Sequence, residues 1–339
     1  MTPHLPERIR LARTPTPIEP LPRLSARLGV ELWVKRDDLT GFAESGNKVR
    51  KLEFLVREAL DQGADTLVTV GSLQSNCARA TAAVAARLGL RCLLALRGEP
   101  PGTYDGNLLL DRLLGAEAVY VPSEEADRPD ELFARLTDRV RQAGGRPYVI
   151  PESGSNELGA LGYAAAVEEI QAQVRAGAPA FDAVVIAAWS GGSLAGLALG
   201  RALYGLSAEV WGVPIAFEAE RIREAVSATI EKAAARFGLD VAPDRAAVHL
   251  LDGYQGFGRA QARPEELAII GEVARESGLL LDPVYTAKAF LGLADQLQRD
   301  PHRFGRRVLF LHTGGAFGLF PFREPLSRLL DGDPLSETP

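Results

Sequence analysis

The chain has 339 residues, 46% hydrophobic and 24% charged, long and apolar enough for two domains with full cores. Its formal charge of −6, with no basic run anywhere, argues against nucleic acid as a partner. Two cysteines, Cys77 and Cys92, lie in apolar segments rather than spaced pairs, so neither a disulfide framework nor a zinc site is suggested, and a reducing cytoplasm fits.

In chain order, the N-terminus shows no basic-then-apolar signal pattern, and no apolar stretch reaches the ~20 residues of a membrane span, so a soluble intracellular protein is expected. After a proline-rich opening (Pro15, Pro17, Pro20, Pro22), a short strand is predicted over 31–35 and a polar loop to Ser45. Val49, Leu52, Val56, Ala59 and Leu60 recur at helical spacing, with Gly63 where a helix should stop. Strands follow at 66–70, 91–96, 117–121 and 147–150, separated by helices at 75–88, 106–114 and 130–143. A second series begins after Ser153-Gly154-Ser155-Asn156 and a long helix. It has strands at 183–188 and 208–213, helices at 193–203 and 217–237, an unassigned glycine-rich region 238–263, helices at 265–277 and 286–298, and a last strand at 307–311. Strands alternating with helices of this length predict an α/β fold of two domains, each a mostly parallel sheet flanked by helices.

Three small polar clusters each follow an apolar run: Gly71 to Asn76, Ser190 to Ser193, and His312 to Gly315. In open parallel sheets ligands bind beyond the carboxyl ends of strands, so the three clusters converge on one site between the domains. Only five lysines occur (35, 48, 51, 232, 288), and Lys48 opens a helix. Such a lysine is ordinarily a solvated surface group, but an amine can condense with an aldehyde cofactor where the abundant arginines cannot. Ser190-Gly191-Gly192-Ser193 opens another helix, whose free N–H groups and dipole suit a phosphate. The spacing from Gly191 is not that of a dinucleotide fingerprint. Gln74-Ser75-Asn76 offers donors for a carboxylate, or Ser75 serves simply as a helix cap. Thr313 could meet a heterocyclic nitrogen or only its local backbone. Amine, phosphate cradle, carboxylate cradle and hydroxyl together describe an enzyme that uses pyridoxal 5′-phosphate on a small amino acid, with Tyr285 a candidate for proton transfer. A non-catalytic module binding this cofactor or a nucleotide is the alternative from another class.

Gly46-Asn47-Lys48-Val49-Arg50-Lys51-Leu52-Glu53, Gln74-Ser75-Asn76, Leu281-Asp282-Pro283-Val284-Tyr285-Thr286 and His312-Thr313-Gly314-Gly315 resemble, in order, the motifs of the D-cysteine desulfhydrase and 1-aminocyclopropane-1-carboxylate (ACC) deaminase family. The resemblance covers about residues 8 to 325. It implies the tryptophan synthase β-subunit type of fold, with a small inserted domain at 48–160 and a large domain from 1–47 and 161–339, and a homodimer. It implies Lys48 as the cofactor-bearing lysine, Asn76 near the cofactor's 3-hydroxyl, Ser190, Gly191, Gly192, Ser193 and Leu194 around its phosphate, and Thr313 at its ring nitrogen. Ser75, Asn76, Cys77 and Tyr285 would face substrate, with Ser75 and Tyr285 joining Lys48 in catalysis. Thr286 and Thr313 stand where the deaminase pattern has glutamate and leucine, which favours β-elimination from D-cysteine over ring opening of ACC. Racemase or dehydratase chemistry on D-serine-like substrates would use the same parts. Two positions depart from the pattern: Cys77 replaces histidine or glutamine, and Phe257-Gly258 stands for a Tyr-Gly pair, leaving Tyr254 as the nearby hydroxyl.

Overall fold

Apolar runs and helical stripes fold into two sheets whose strands come from different stretches of the chain. The computed structural model describes residues 4–242, 244–258 and 260–332. The first stretch contains β1 (Ile18–Pro20), α1 (Pro22–Leu28), β2 (Glu31–Lys35) and α2 (Asn47–Asp61). Next come β3 (Thr66–Ser72), α3 (Asn76–Leu88), β4 (Arg91–Arg97), α4 (Gly106–Leu113), β5 (Glu117–Val121), α5 (Ser123–Ala126), α6 (Pro129–Gln142) and β6 (Pro147–Val149). The chain then runs through α7 (Glu157–Arg175), β7 (Ala183–Ala188), α8 (Gly192–Tyr204), β8 (Glu209–Pro214), α9 (Ala219–Phe237) and β9 (His249–Leu250). It ends with α10 (Pro264–Ser277), α11 (Thr286–Arg299), β10 (Arg307–Leu311) and α12 (Arg323–Asp331).

One sheet has the order β1-β2-β10-β7-β8-β9, the other β5-β4-β3-β6. All pairings are parallel except β1 with β2. Crossover helices cover both faces, as parallel pairing requires. The predicted strands and helices lie within a few residues of their expected bounds. The differences are elements the periodicity does not predict: β1 and α1 in the proline-rich opening, the single-turn α5, the two-residue β9 inside 238–263, and the C-terminal α12. Each is too short or too exposed to show an apolar period; β1, for instance, exists through its pairing with Trp33 to Lys35.

The largest buried cluster joins α2, α3, α7 and α8 and spans both sheets, with Leu52, Phe54, Leu161 and Leu194 at its centre. Burial of such side chains contributes about 1.5–3 kcal/mol each. A second cluster packs α1, α10 and α11 on the other face of the six-stranded sheet, and a third packs α6 on β3 and β4. α2 is also held by charge. Arg50, buried, donates to both oxygens of Asp37 at 2.7 and 2.8 Å and to Glu169 at 2.9 Å, while the Tyr163 hydroxyl donates to Asp37 at 2.7 Å. Removing one member of such a buried set leaves an uncompensated charge, so the register of α2 against β2 and α7 is tightly specified. The helix that carries Lys48 is thereby locked in place.

Candidate active site

Lys48 sits in the first turn of α2 because the chain before it passes unusually close to the turn after β10. At Gly46 (φ +102°) a Cβ would lie 2.7 Å from Thr313 O, and at Gly314 (φ +85°) one would lie 2.8 Å from Gly46 Cα. Only glycine permits both backbones at that separation. Asn47 N–H then donates to Thr313 O at 3.0 Å. His312 Nδ1 accepts from Gly314 N–H at 3.1 Å, so its other nitrogen bears the proton and donates to Leu280 O. The result is a cleft lined by Asn47, Lys48, Lys51, Asn76, Ser190 to Leu194, Tyr285 and Thr313. Lys48 faces this cleft instead of bulk water. Surrounding protein lowers its pKa, with the Cys77 thiol and Glu152 opposing that effect, which favours the uncharged, nucleophilic amine.

Opposite Lys48, β7 ends in a turn that starts α8, with Gly191 left-handed (φ +79°) at the cap. The backbone N–H groups of the first turn have no intrahelical partner, and the helix dipole adds positive potential. Gly192 has no room for a side chain: a Cβ would lie 2.4 Å from Ser155 Oγ and 3.0 Å from Lys51 Nζ. Lys51 Nζ donates to Ser155 Oγ at 2.9 Å and Ser153 O at 3.2 Å, and Ser155 Oγ pairs with Ser190 Oγ at 2.8 Å. Burial, then the proximity of Lys48, holds the Lys51 pKa well below its ordinary value. An arriving dianion would restore that charge. The sequence signal for Lys51 is its i, i+3 spacing from Lys48, which puts both amines on one helix face.

On the far side, Ser75 caps α3, accepting from Ala78 N–H at 3.1 Å, and Asn76 begins the helix. Asn76 lines the first cleft. Ser75 lines an adjoining one with Gln74, Arg97, Glu152, Ile215 and Val284, and Tyr285 and Trp189 belong to both walls. Tyr285 is aimed by Asp282, buried, whose carboxylate accepts from the N–H groups of Val284, Tyr285 and Thr286 at 2.8–3.0 Å. Thr313 reaches the cleft, whereas Thr286 does not: it is fully buried and its hydroxyl donates to Asp282 at 2.7 Å. Cys77 also lies off both walls, 2% exposed within the core, with burial raising its thiol pKa. One residue along a helix turns a side chain by about 100°, enough to send Asn76 and Cys77 in different directions. Tyr254 cannot supply the hydroxyl missing at Phe257, because its own OH is bound to Asp295 and accepts from Gln296 at 2.7 Å, away from the cleft.

A family model described as pyridoxal-phosphate dependent enzyme matches residues 9–314. The chain belongs to this family. D-cysteine desulfhydrase of Yersinia enterocolitica is 45% identical over 93% of this chain and 96% of its own length. A Thermotoga maritima protein provisionally named 1-aminocyclopropane-1-carboxylate deaminase is 45% identical over 92% and 97%. A solved structure of an ACC deaminase homologue superposes with a TM-score of 0.87 at 37% identity, covering 95% of this chain and 96% of that one. An L-serine ammonia-lyase of Rhizomucor miehei, at 17% identity and a TM-score of 0.68, shares the fold. The expected α/β fold of the tryptophan synthase β-subunit type and the pyridoxal phosphate cofactor are those of this family.

The cleft fits that cofactor chemically. The α8 turn offers N–H groups, two serine hydroxyls and a buried amine to a phosphate. Lys48 presents an amine for the aldehyde. Among the described residues no helix is long and apolar enough to cross a membrane.

Proposed function

We propose that this pyridoxal phosphate-dependent enzyme is a lyase that eliminates the thiol of D-cysteine or a similar small β-substituted amino acid, giving pyruvate, ammonia and hydrogen sulfide with uptake of one water. The observation that carries this reading is Thr313 in the wall that also holds Lys48; the 45%-identical relative named D-cysteine desulfhydrase supports it. When bound, the cofactor acts as an electron sink for the bonds to Cα. A neutral threonine hydroxyl at its ring nitrogen makes that sink weaker than a carboxylate would, which suits expulsion of a good leaving group such as a thiol.

In this reading Lys48 would hold the cofactor through its aldehyde. Ser190, Gly191, Gly192, Ser193 and Leu194, with Lys51, would hold the phosphate. Asn76 would donate to the ring 3-oxygen, and Ser75 and Asn76 would receive the substrate carboxylate. Tyr285, Ser75 or the released Lys48 takes the α-proton. Cys77 shapes the substrate side only from behind, through the core. Residues 48–160 form the small domain and 1–47 with 161–339 the large one, and the working unit is a cytoplasmic homodimer.

ACC deamination to 2-oxobutanoate and ammonia is the second reading, favoured by the provisionally named relative and the homologue structure. The test is product release by the cofactor-loaded protein from D-cysteine, L-cysteine and ACC, with sulfide and keto acid followed in parallel. Equal sulfide and pyruvate from D-cysteine, in preference to both others, supports the proposal. 2-Oxobutanoate from ACC without sulfide from D-cysteine replaces it with the second reading.

A further inference from the structure

Behind the cleft wall a chain of hydrogen bonds decides which way the Asn76 amide faces. Asn76 Oδ1 accepts from Asn107 Nδ2 at 3.0 Å; that Nδ2 also donates to Gln74 O at 2.9 Å, and Asn107 Oδ1 accepts from Arg79 Nε at 2.7 Å. An amide can be turned end for end, but a guanidinium can only donate. The end of Asn107 that meets Arg79 must therefore be its oxygen, so its NH₂ meets Asn76, and the partner there must be Oδ1. Asn76 Nδ2 is left for the cleft.

Neither member of the chain can turn away. Asn107 is fully buried, and its backbone N–H donates to Gln74 Oε1 at 2.8 Å. Arg79, also fully buried, donates to Ala43 O and, at 2.9 Å, to Ser45 O in the loop before Lys48, and its guanidinium lies 5.1 Å from the Phe317 ring centroid. The dipoles from Arg79 through Asn107 to Asn76 run in one sense, which strengthens the terminal donor.

We infer that Arg79 and Asn107 are positioning residues that lock Asn76 as a hydrogen-bond donor toward the cofactor's 3-oxygen, favouring that oxygen in its anionic form. The inference rests on the assignment of Asn76 to the 3-oxygen made above. It is independent of which amino acid the enzyme consumes.

The test needs no substrate. Asn107→Asp still accepts from Arg79 but presents a second oxygen to Asn76, which must then turn its NH₂ inward and its Oδ1 to the cleft. The readouts are the pH midpoint of the bound cofactor's absorption band and the cofactor dissociation constant. Asn107→Asp is expected to raise the midpoint and weaken binding about ten-fold, the effect of one lost buried donor. Asn76→Asp should do the same, and in an Asn76→Ala background Asn107→Asp should move neither quantity. An Asn107→Asp effect that persists in the Asn76→Ala background overturns the relay. So does a folded Asn107→Asp protein with the wild-type band, provided Asn76→Ala shifts it. If Asn76→Ala itself changes nothing, the assignment of Asn76 falls and the relay with it. Should Asn107→Asp not fold, Asn107→Ala serves: it leaves Asn76 free to turn, and the same shift in smaller degree is expected, while an unchanged band overturns the relay.

Discussion

Asp111 lies one turn beyond Asn107 on α4, fully buried, and neither carboxylate oxygen has a hydrogen-bond partner among the described residues. Burial pushes its pKa up to about 8 from an ordinary 3.8, with Arg79 pulling the other way. Between those values the unfolded chain is ionised at this position while the folded protein keeps the proton. Folding therefore takes up a proton, and stability present in full below pH about 4 is lost as pH rises toward about 8. About four pH units at about 1.4 kcal/mol each amount to about 6 kcal/mol. Asn at 111 has the size of the neutral acid and does not titrate. Asp111→Asn should match wild type near pH 4 and exceed it progressively, by about 1.4 kcal/mol per pH unit, up to pH about 8, beyond which the gap stays constant. Urea unfolding of both proteins at a series of pH values measures this. A gap that is independent of pH, or that narrows as pH rises, refutes the reasoning.

Gly192→Ala has ordinary backbone angles to adopt, yet its methyl would meet Ser155 Oγ at 2.4 Å and Lys51 Nζ at 3.0 Å. Cofactor binding, followed by absorbance titration, should weaken about ten- to a hundred-fold; unchanged binding would remove the α8 turn from the phosphate site. Tyr285→Phe should keep the cofactor band and lower turnover of D-cysteine about 10²-fold, the usual scale of a general acid or base. Full turnover would move the proton transfer to Ser75 or Lys48. Thr286→Glu would bring a second carboxylate against buried Asp282 and break the cap that aims Tyr285, so a loss of roughly 2–5 kcal/mol is expected in thermal or urea unfolding. An unchanged melting temperature would show that this position opens to the cleft.

Much of the scaffold is legible in the chain itself, because parallel strands buried on both faces read as continuous apolar runs and their crossover helices as periodic stripes. Lys48 stands out through the rarity of lysine and its place at a helix start, and Gly191-Gly192 through the turn that only a strand-to-helix junction needs. β1 and β9 escape such a reading because two or three residues carry no period and exist only by pairing with β2 and β8. The direction of side chains is what tertiary structure alone decides. Asn76 and Cys77 are neighbours in sequence, but one lines the cleft and the other the core. Thr286, which looks like a specificity position beside Tyr285, spends its hydroxyl on Asp282. Asn107, more than 30 residues from Asn76, sets the facing of its amide. Sequence determines which residues can form strands, helices and turns, since those depend on local backbone preference and period. Which of their atoms meet at the cleft depends on how separate elements pack, and that is settled only when α2, α3, α4, α8 and α11 come together around it.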